Sequence, residues 1–142
     1  GGWLSDKVNS GSRVTTISTI FQIIAALAVA YFIKEAKQSP NPEDYWWPFF
    51  ACFMILFATT GIGNGSTFRS IPYIFSQKLA GPVLGWTSAI AAYGAFIIPK
   101  VFGAQISAGT PEYALYGFAL YYLLCLGLNW YYYDRRNSGI KC

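Results

Sequence analysis

Four stretches of this chain, residues 14–33, 45–68, 79–99 and 113–133, contain no Asp, Glu, Lys, Arg or His, and each is at least 20 residues long. About 20 residues at roughly 1.5 Å rise cross the roughly 30 Å hydrocarbon core of a bilayer, so each stretch can form a transmembrane helix. A single run of this kind also suits the core helix of a large water-soluble protein. Four in succession within 142 residues, with 54% hydrophobic and only 11% charged positions, leave too little polar sequence to solvate one. The expected fold class is an all-α membrane protein with four transmembrane helices, which argues against a soluble enzyme.

The formal charge of +4 is modest, and its placement says more than its sum. With the N-terminal segment inside, Lys7, Arg13, Lys78, Arg135, Arg136 and Lys141 lie on the cytoplasmic side, and Lys34, Lys37 and Lys100 lie outside. The positive-inside rule favours that orientation in a plasma or inner membrane. Trp46 and Trp47 open the second span and Trp130 to Tyr133 close the fourth, the depth amphipathic rings prefer. The tail charges read as an inside anchor beside a lipid surface, so no nucleic-acid partner is expected. Cys52, Cys125 and Cys142 form neither a disulfide framework nor a metal pattern, and there is no histidine. No metal and no cofactor are expected. The opening Gly1-Gly2-Trp3, with no Met and no charged lead into an apolar run, shows no signal peptide and reads as part of a longer protein.

The expected organisation is a cytoplasmic segment 1–13, a span 14–33, an outside link 34–44, a span 45–75, an inside link 76–83, a span 84–101, an outside link 102–112, a span 113–133 and a cytoplasmic tail 134–142. Pro40 and Pro42, then Gly81-Pro82, then Gly109 with Pro111, supply the turn signals, and Pro111 suits the first turn of the last helix. Short links imply helices of alternating direction.

Within the second span, Thr59-Thr60-Gly61-Ile62-Gly63-Asn64-Gly65-Ser66-Thr67-Phe68-Arg69 departs from a lipid-facing helix. Gly61 and Gly65 have the small-xxx-small spacing that lets helix backbones approach closely, so close packing is one reading of the glycines. Asn64, Ser66 and Thr67 are costly toward lipid and tolerable toward a partner helix or a wet cavity, so a polar cavity is the other. Phe68 beside that patch either fills the core or presents its ring to a small planar ligand. Arg69, near the inner end of a helix that Pro72 should bend or end, either snorkels to the interface or contacts an anion. The third span carries small residues at 85, 88, 89, 91, 92 and 95 in several i, i+4 pairs, which belong inside a bundle. Ser88 and Tyr93 are its polar groups, although a serine often bonds back to its own helix. The last span, rich in Leu and Tyr, looks peripheral.

Gly2-Trp3-Leu4-Ser5-Asp6-Lys7 resembles the G-x-x-x-D-(R/K) loop motif of the major facilitator superfamily. Taken with Gly61 to Arg69 and with Gly85-Trp86-Thr87-Ser88-Ala89-Ile90-Ala91-Ala92-Tyr93-Gly94-Ala95-Phe96-Ile97-Ile98-Pro99, the order and spacing resemble the nitrate/nitrite porter family. The resemblance implies that the four spans are helices nine to twelve of a twelve-helix fold, with the N-terminal helices of the same transporter as partners. It implies transport of nitrate or nitrite by alternating access, as nitrate/nitrite antiport or proton-coupled nitrate uptake. It places Phe68 on the flat anion and the stretch from Ser88 to Phe96 beside it, and Gly2, Asp6 and Lys7 in a gating loop; joined to the polar stripe, it makes Phe68, Asn64, Gly63, Gly65, Ser88 and Gly94 the substrate-binding candidates, with Arg69 and Tyr93 as lesser ones. Two anion-binding arginines, one from each half, would lie outside these residues. The sequence departs from the family pattern in having Ala91, Ala92 and Ala95 where glycine is usual, and in a short link after Ser76. A carrier of another small organic anion, or a non-transporting membrane scaffold subunit, are the alternative readings.

Overall fold

In a computed structural model of the protein, residues 1–135 are described, and they are helical almost throughout. In chain order, α1 (Gly2–Val8) leads into α2 (Gly11–Gln38). A 3-10 turn (Pro42–Tyr45) then opens α3 (Trp46–Ile74), followed by α4 (Gln77–Ser107), α5 (Pro111–Asn129) and a π-helical turn (Trp130–Asp134). Three of these, α2, the 3-10 turn with α3, and α4, are long and apolar enough to cross a membrane. At 28 to 31 residues each helix outreaches the hydrocarbon core.

The fourth expected span divides. Its tyrosine-rich stretch makes α5 only 19 residues long, and the last turn of the apolar run widens into the π form. Other boundaries move as well. Residues 1–13, expected as a loop, contain α1, which ends on Asn9 in the left-handed conformation (φ 54°), a region that asparagine tolerates better than most residues. The link expected at 76–83 is helical from Gln77 onward, because Pro82 removes a single N–H near the helix start, where its surroundings are exposed. The outside links shrink similarly: α2 continues to Gln38, and only Ala108 to Thr110 separate α4 from α5. Gly109 makes that turn with φ +75°, a conformation a side chain would strain. Pro72 does not break α3 at once, since the helix runs two residues further to Ile74. Arg136, Lys141 and Cys142, assigned to the tail, lie outside the described residues.

The bundle is organised on α2, which lies between α3 and α5 and packs closely on both. Small side chains make this possible: Ala25, Ala26 and Ala30 are buried with Val29, and Val29, Ala30 and Leu115 form the core with Phe49, Phe102 and Phe118 against it. Close packing replaces the hydrophobic driving force that lipid does not supply. Polar ties cross the same interfaces. Gln22 Nε2 donates to the Thr59 carbonyl over 3.1 Å, and the Thr15 and Ser66 hydroxyls lie 2.8 Å apart. Asn129 Nδ2 donates to the Ser12 carbonyl and the Thr16 hydroxyl, and Thr16 donates to Asp134. In contrast to its expected place inside a bundle, α4 lies at the edge, with none of its most apolar 18-residue window buried. It is α5, expected at the periphery, that packs on α2.

At the far end of α2, Lys37 Nζ donates to both Glu112 carboxylate oxygens at 3.0 Å and to the Gly109 carbonyl. A hydrogen bond from its own backbone N–H, and then the Lys37 ammonium, hold the Glu112 carboxyl below its ordinary 4.5. A carboxylate whose pKa is lower folded than unfolded stabilises the fold fully above the unfolded value and loses that contribution as pH falls through the folded one. The α2–α5 junction is therefore expected to hold through neutral pH and to loosen only below pH 4.5. Amide exchange at Thr110, Glu112 and Tyr113, followed through an acid titration, checks this, and in Lys37→Met the acid step should move toward the ordinary carboxylate value.

Candidate functional site

The polar stripe of α3 divides between two faces. Gly63, Ser66 and Ser70 are buried toward α1 and α2. A Cβ on Gly63 would meet Gln22 Nε2 at 3.2 Å, and one on Gly65 would meet the Gly1 Cα at 3.0 Å and the Gly2 nitrogen at 3.2 Å. Ser66 is fully buried, donating to the Gly63 carbonyl at 2.9 Å while paired with Thr15. Packing thus explains Gly63, Gly65 and Ser66. Asn64 points elsewhere: it is exposed, and its side chain makes no hydrogen bond among the described residues.

Thr60, Asn64 and Phe68 follow at four-residue intervals, so they form one row along α3, turned away from the buried serines. Phe68 is half-buried. Thr60 lines a groove of about 700 Å3 that α4 and α5 complete, and Gly94 lies in its wall with Ile90, Ile97 and Tyr121. Of the row, Thr60 lines the groove, and Asn64 and Phe68 do not. Gly94 is half-buried, with Ile98 of its own helix its nearest side chain at 3.8 Å from a built Cβ.

Ser88 and Tyr93 do not join Gly94 there. The three residues point about 100° or more apart around α4. Ser88 is exposed and makes no bond back to its own helix, a role that Thr87 takes instead by donating to the Val83 carbonyl at 2.8 Å. Tyr93 is 68% exposed. Gly81, Gly85, Ser88, Ala92, Ala95, Pro99 and Gly103 form a continuous exposed face opposite the groove, and a Cβ on Gly81, Gly85 or Gly103 would meet nothing within 4 Å. This small-residue face extends well beyond the segment singled out from sequence, and its heptad-like spacing was the signal for it.

The expected gating residues lie on a helix rather than a loop. Asp6 Oδ1 on α1 accepts from Arg69 Nε on α3 over 2.9 Å, with the Arg69 side chain 11% and the Asp6 side chain 65% exposed. Arg69 also donates to the Tyr73 hydroxyl at 3.3 Å and lies over the Tyr73 ring at 4.3 Å. Lys7 lies over the Trp3 ring, and Gly2 has open space around it. The Asp6–Arg69 pair joins two residues that the sequence offers 63 positions apart with nothing to link them. A double-mutant cycle on Asp6→Asn and Arg69→Gln should give a coupling of about 0.5–1 kcal/mol in thermal unfolding, the scale of a partly exposed ion pair. Arg69→Lys should recover little of it, because an ammonium lacks the planar stack on Tyr73. Among the described residues no cluster of three metal-binding side chains occurs, and Cys52 and Cys125 are half-buried free thiols.

Long apolar helices, with ties of hydroxyl and amide groups between them, define a multi-pass helical membrane protein. Sequence comparison narrows the class. The chain is 34% identical over 143 residues to a probable nitrate/nitrite antiporter of Thermus thermophilus, covering 99% of this chain and 31% of that protein. It is 37% identical over 163 residues to a nitrate/nitrite transporter of Escherichia coli, covering 99% of this chain and 34% of that protein. For the nitrate/nitrite transporter of Salmonella typhimurium the values are 37% over 158 residues, 96% and 33%. The chain is therefore a relative of nitrate/nitrite transporters along nearly its whole length, and it spans about a third of the length of these curated relatives. No family profile matches the chain, and no solved structure does.

Proposed function

We propose that this chain is the C-terminal, four-helix portion of a major facilitator transporter that carries nitrate and nitrite by alternating access. On this reading it is no enzyme, and α2, α3, α4 and α5 are helices nine to twelve of twelve. Both ends of α2–α5 that carry Arg13 and Arg135 face the cytoplasm, and the remaining helices of the same protein are its partners. The observation that carries the proposal is the similarity over 99% of the chain to proteins named for nitrate and nitrite transport.

The chemistry of α3 supports it. Nitrate and nitrite are small planar anions with delocalised charge, recognised in their plane by hydrogen-bond donors and on their faces by flat rings. The Thr60–Asn64–Phe68 row offers an unengaged amide and an aromatic ring on one face. Arg69, with Nε on Asp6 and its guanidinium over Tyr73, acts as an interfacial latch between α1 and α3, which leaves anion charge to be met by cations outside these residues. Gly63 and Gly65 contribute by letting α3 lie close to α2 and α1 rather than by touching the anion. Gly94 and Ser88 contribute from separate faces of α4, so Ser88 reaches an anion only through a pathway on the small-residue side. Asp6, Glu35, Glu43, Asp44, Glu112 and Asp134 all lie near helix ends or in links, and exchange of nitrate for nitrite requires none of them to carry a proton.

Counterflow in proteoliposomes containing the full-length protein tests the proposal. Vesicles loaded with nitrate should accumulate labelled nitrite. Accumulation of small carboxylates without nitrite exchange would instead identify an organic-anion carrier, and no flux of either would identify a scaffold.

A further inference from the structure

At the end of the bundle where α2 meets α3, a groove of about 820 Å3 opens between the last turns of α2, the 3-10 turn and the first turn of α3. We propose that it is a lipid site, which takes the primary-ammonium headgroup of phosphatidylethanolamine against Glu43 and Trp47 and the start of an acyl chain along Phe32 and Ile33. The inference uses residues that the anion pathway does not.

Charge accounting selects a cation. Two side chains charged at neutral pH line the groove, Lys37 and Glu43. An ammonium has three N–H donors, and those of Lys37 are directed to the two Glu112 oxygens and the Gly109 carbonyl, so its charge is matched and no donor remains for a phosphate in the groove. Glu43 is exposed, and its side chain makes no hydrogen bond or ion pair among the described residues, its backbone carbonyl alone accepting from the Trp46 N–H. The groove therefore carries one unmatched carboxylate. Beside it stand Tyr45, Trp46 and Trp47, and Trp47 is 73% exposed. Trp46 stacks on Phe50, so the open indole is that of Trp47, and a carboxylate beside an open indole is the combination that holds an ammonium, by hydrogen bonds on one side and cation–π attraction on the other.

The position selects the source of that ammonium. The groove sits at the tips of two membrane-length helices, at the level where Trp and Tyr gather beside headgroups. Its deeper wall, Phe32, Ile33 and Phe49, is apolar and continues toward the hydrocarbon. A soluble ammonium compound would make no use of that wall, whereas a phospholipid fills both parts and leaves its phosphate in the interface.

The test is native mass spectrometry of the full-length protein in mixed micelles with equal phosphatidylethanolamine and phosphatidylglycerol of identical acyl chains. The wild type should retain phosphatidylethanolamine in excess. Glu43→Gln should reduce that excess about fivefold, the scale of one charge-assisted or cation–π contact. Trp47→Ala should reduce it similarly and Trp47→Phe less, which separates loss of the ring from disturbance of the fold. Glu35→Gln, whose side chain does not line the groove, should leave it unchanged. Equal retention of the two lipids by the wild type, as expected if another helix covers the groove, would overturn the proposal, as would an undiminished excess in Glu43→Gln.

Discussion

Replacing Gly11 with Leu is expected to remove about 1–3 kcal/mol of stability, the range for forcing a side chain into a closely packed contact. Gly11 opens α2 where it crosses α3. A Cβ there would meet the Ser66 carbonyl at 3.0 Å and collide with the Ser70 hydroxyl. The hydroxyl can rotate away, but the carbonyl belongs to a helix and cannot move without parting α2 from α3. That separation also breaks the Thr15–Ser66 contact. Thermal unfolding of the detergent-solubilised full-length protein measures the effect, with Gly103→Leu as the comparison. Gly103 has no atom within 4 Å of a built Cβ among the described residues, so its replacement should cost little in the same assay if that face is free, and more if another helix of the protein rests on it.

The second large effect is on transport. Phe68→Ala is expected to lower nitrite counterflow about tenfold, a loss on the scale of one aromatic stacking contact and its buried area. The ring is half-buried, follows Asn64 by one helical turn, and lies away from the serines that hold α3 to α2. Truncation should therefore cost less stability than Gly11→Leu, the ring being only half-buried, while weakening substrate recognition. Phe68→Trp retains a flat face and should keep most of the flux. Undiminished exchange in Phe68→Ala would remove the residue from the site.

Several features of the fold were legible in the sequence because they depend on local chemistry. Charge-free runs marked the long helices, Trp46 and Trp47 marked the start of α3, and Pro111 marked the start of α5. Link lengths were less legible. Gly81-Pro82 resembles a turn, yet one missing N–H in the opening turns of a helix is compatible with the helix continuing, so the expected loop vanished into α4. The π-helical turn at residues 130–134 had no sequence signal of its own.

The site divided along the same line. Gly61, Asn64, Gly65, Ser66 and Phe68 were all visible as departures from a lipid-facing helix, but one helical stripe cannot say which neighbour each residue meets. That depends on where α2 lies, and α2 takes Gly63 and Ser66 while leaving Asn64 and Phe68 outside. The Asp6–Arg69 pair was invisible for the same reason, since its two ends belong to different helices. The small face of α4 was legible as a packing surface, and among the described residues nothing packs on it.

On the proposed function, α3 keeps one face for packing and turns another to the anion. Single cysteines introduced at Asn64 and at Ser66, in full-length protein whose native cysteines are replaced by alanine, test it most directly through reaction with a membrane-impermeant thiol reagent. The cysteine at position 64 should react and nitrate should protect it, while the one at position 66 should stay unreacted in both conditions. Reaction at 66 with protection by nitrate, and none at 64, would contradict it.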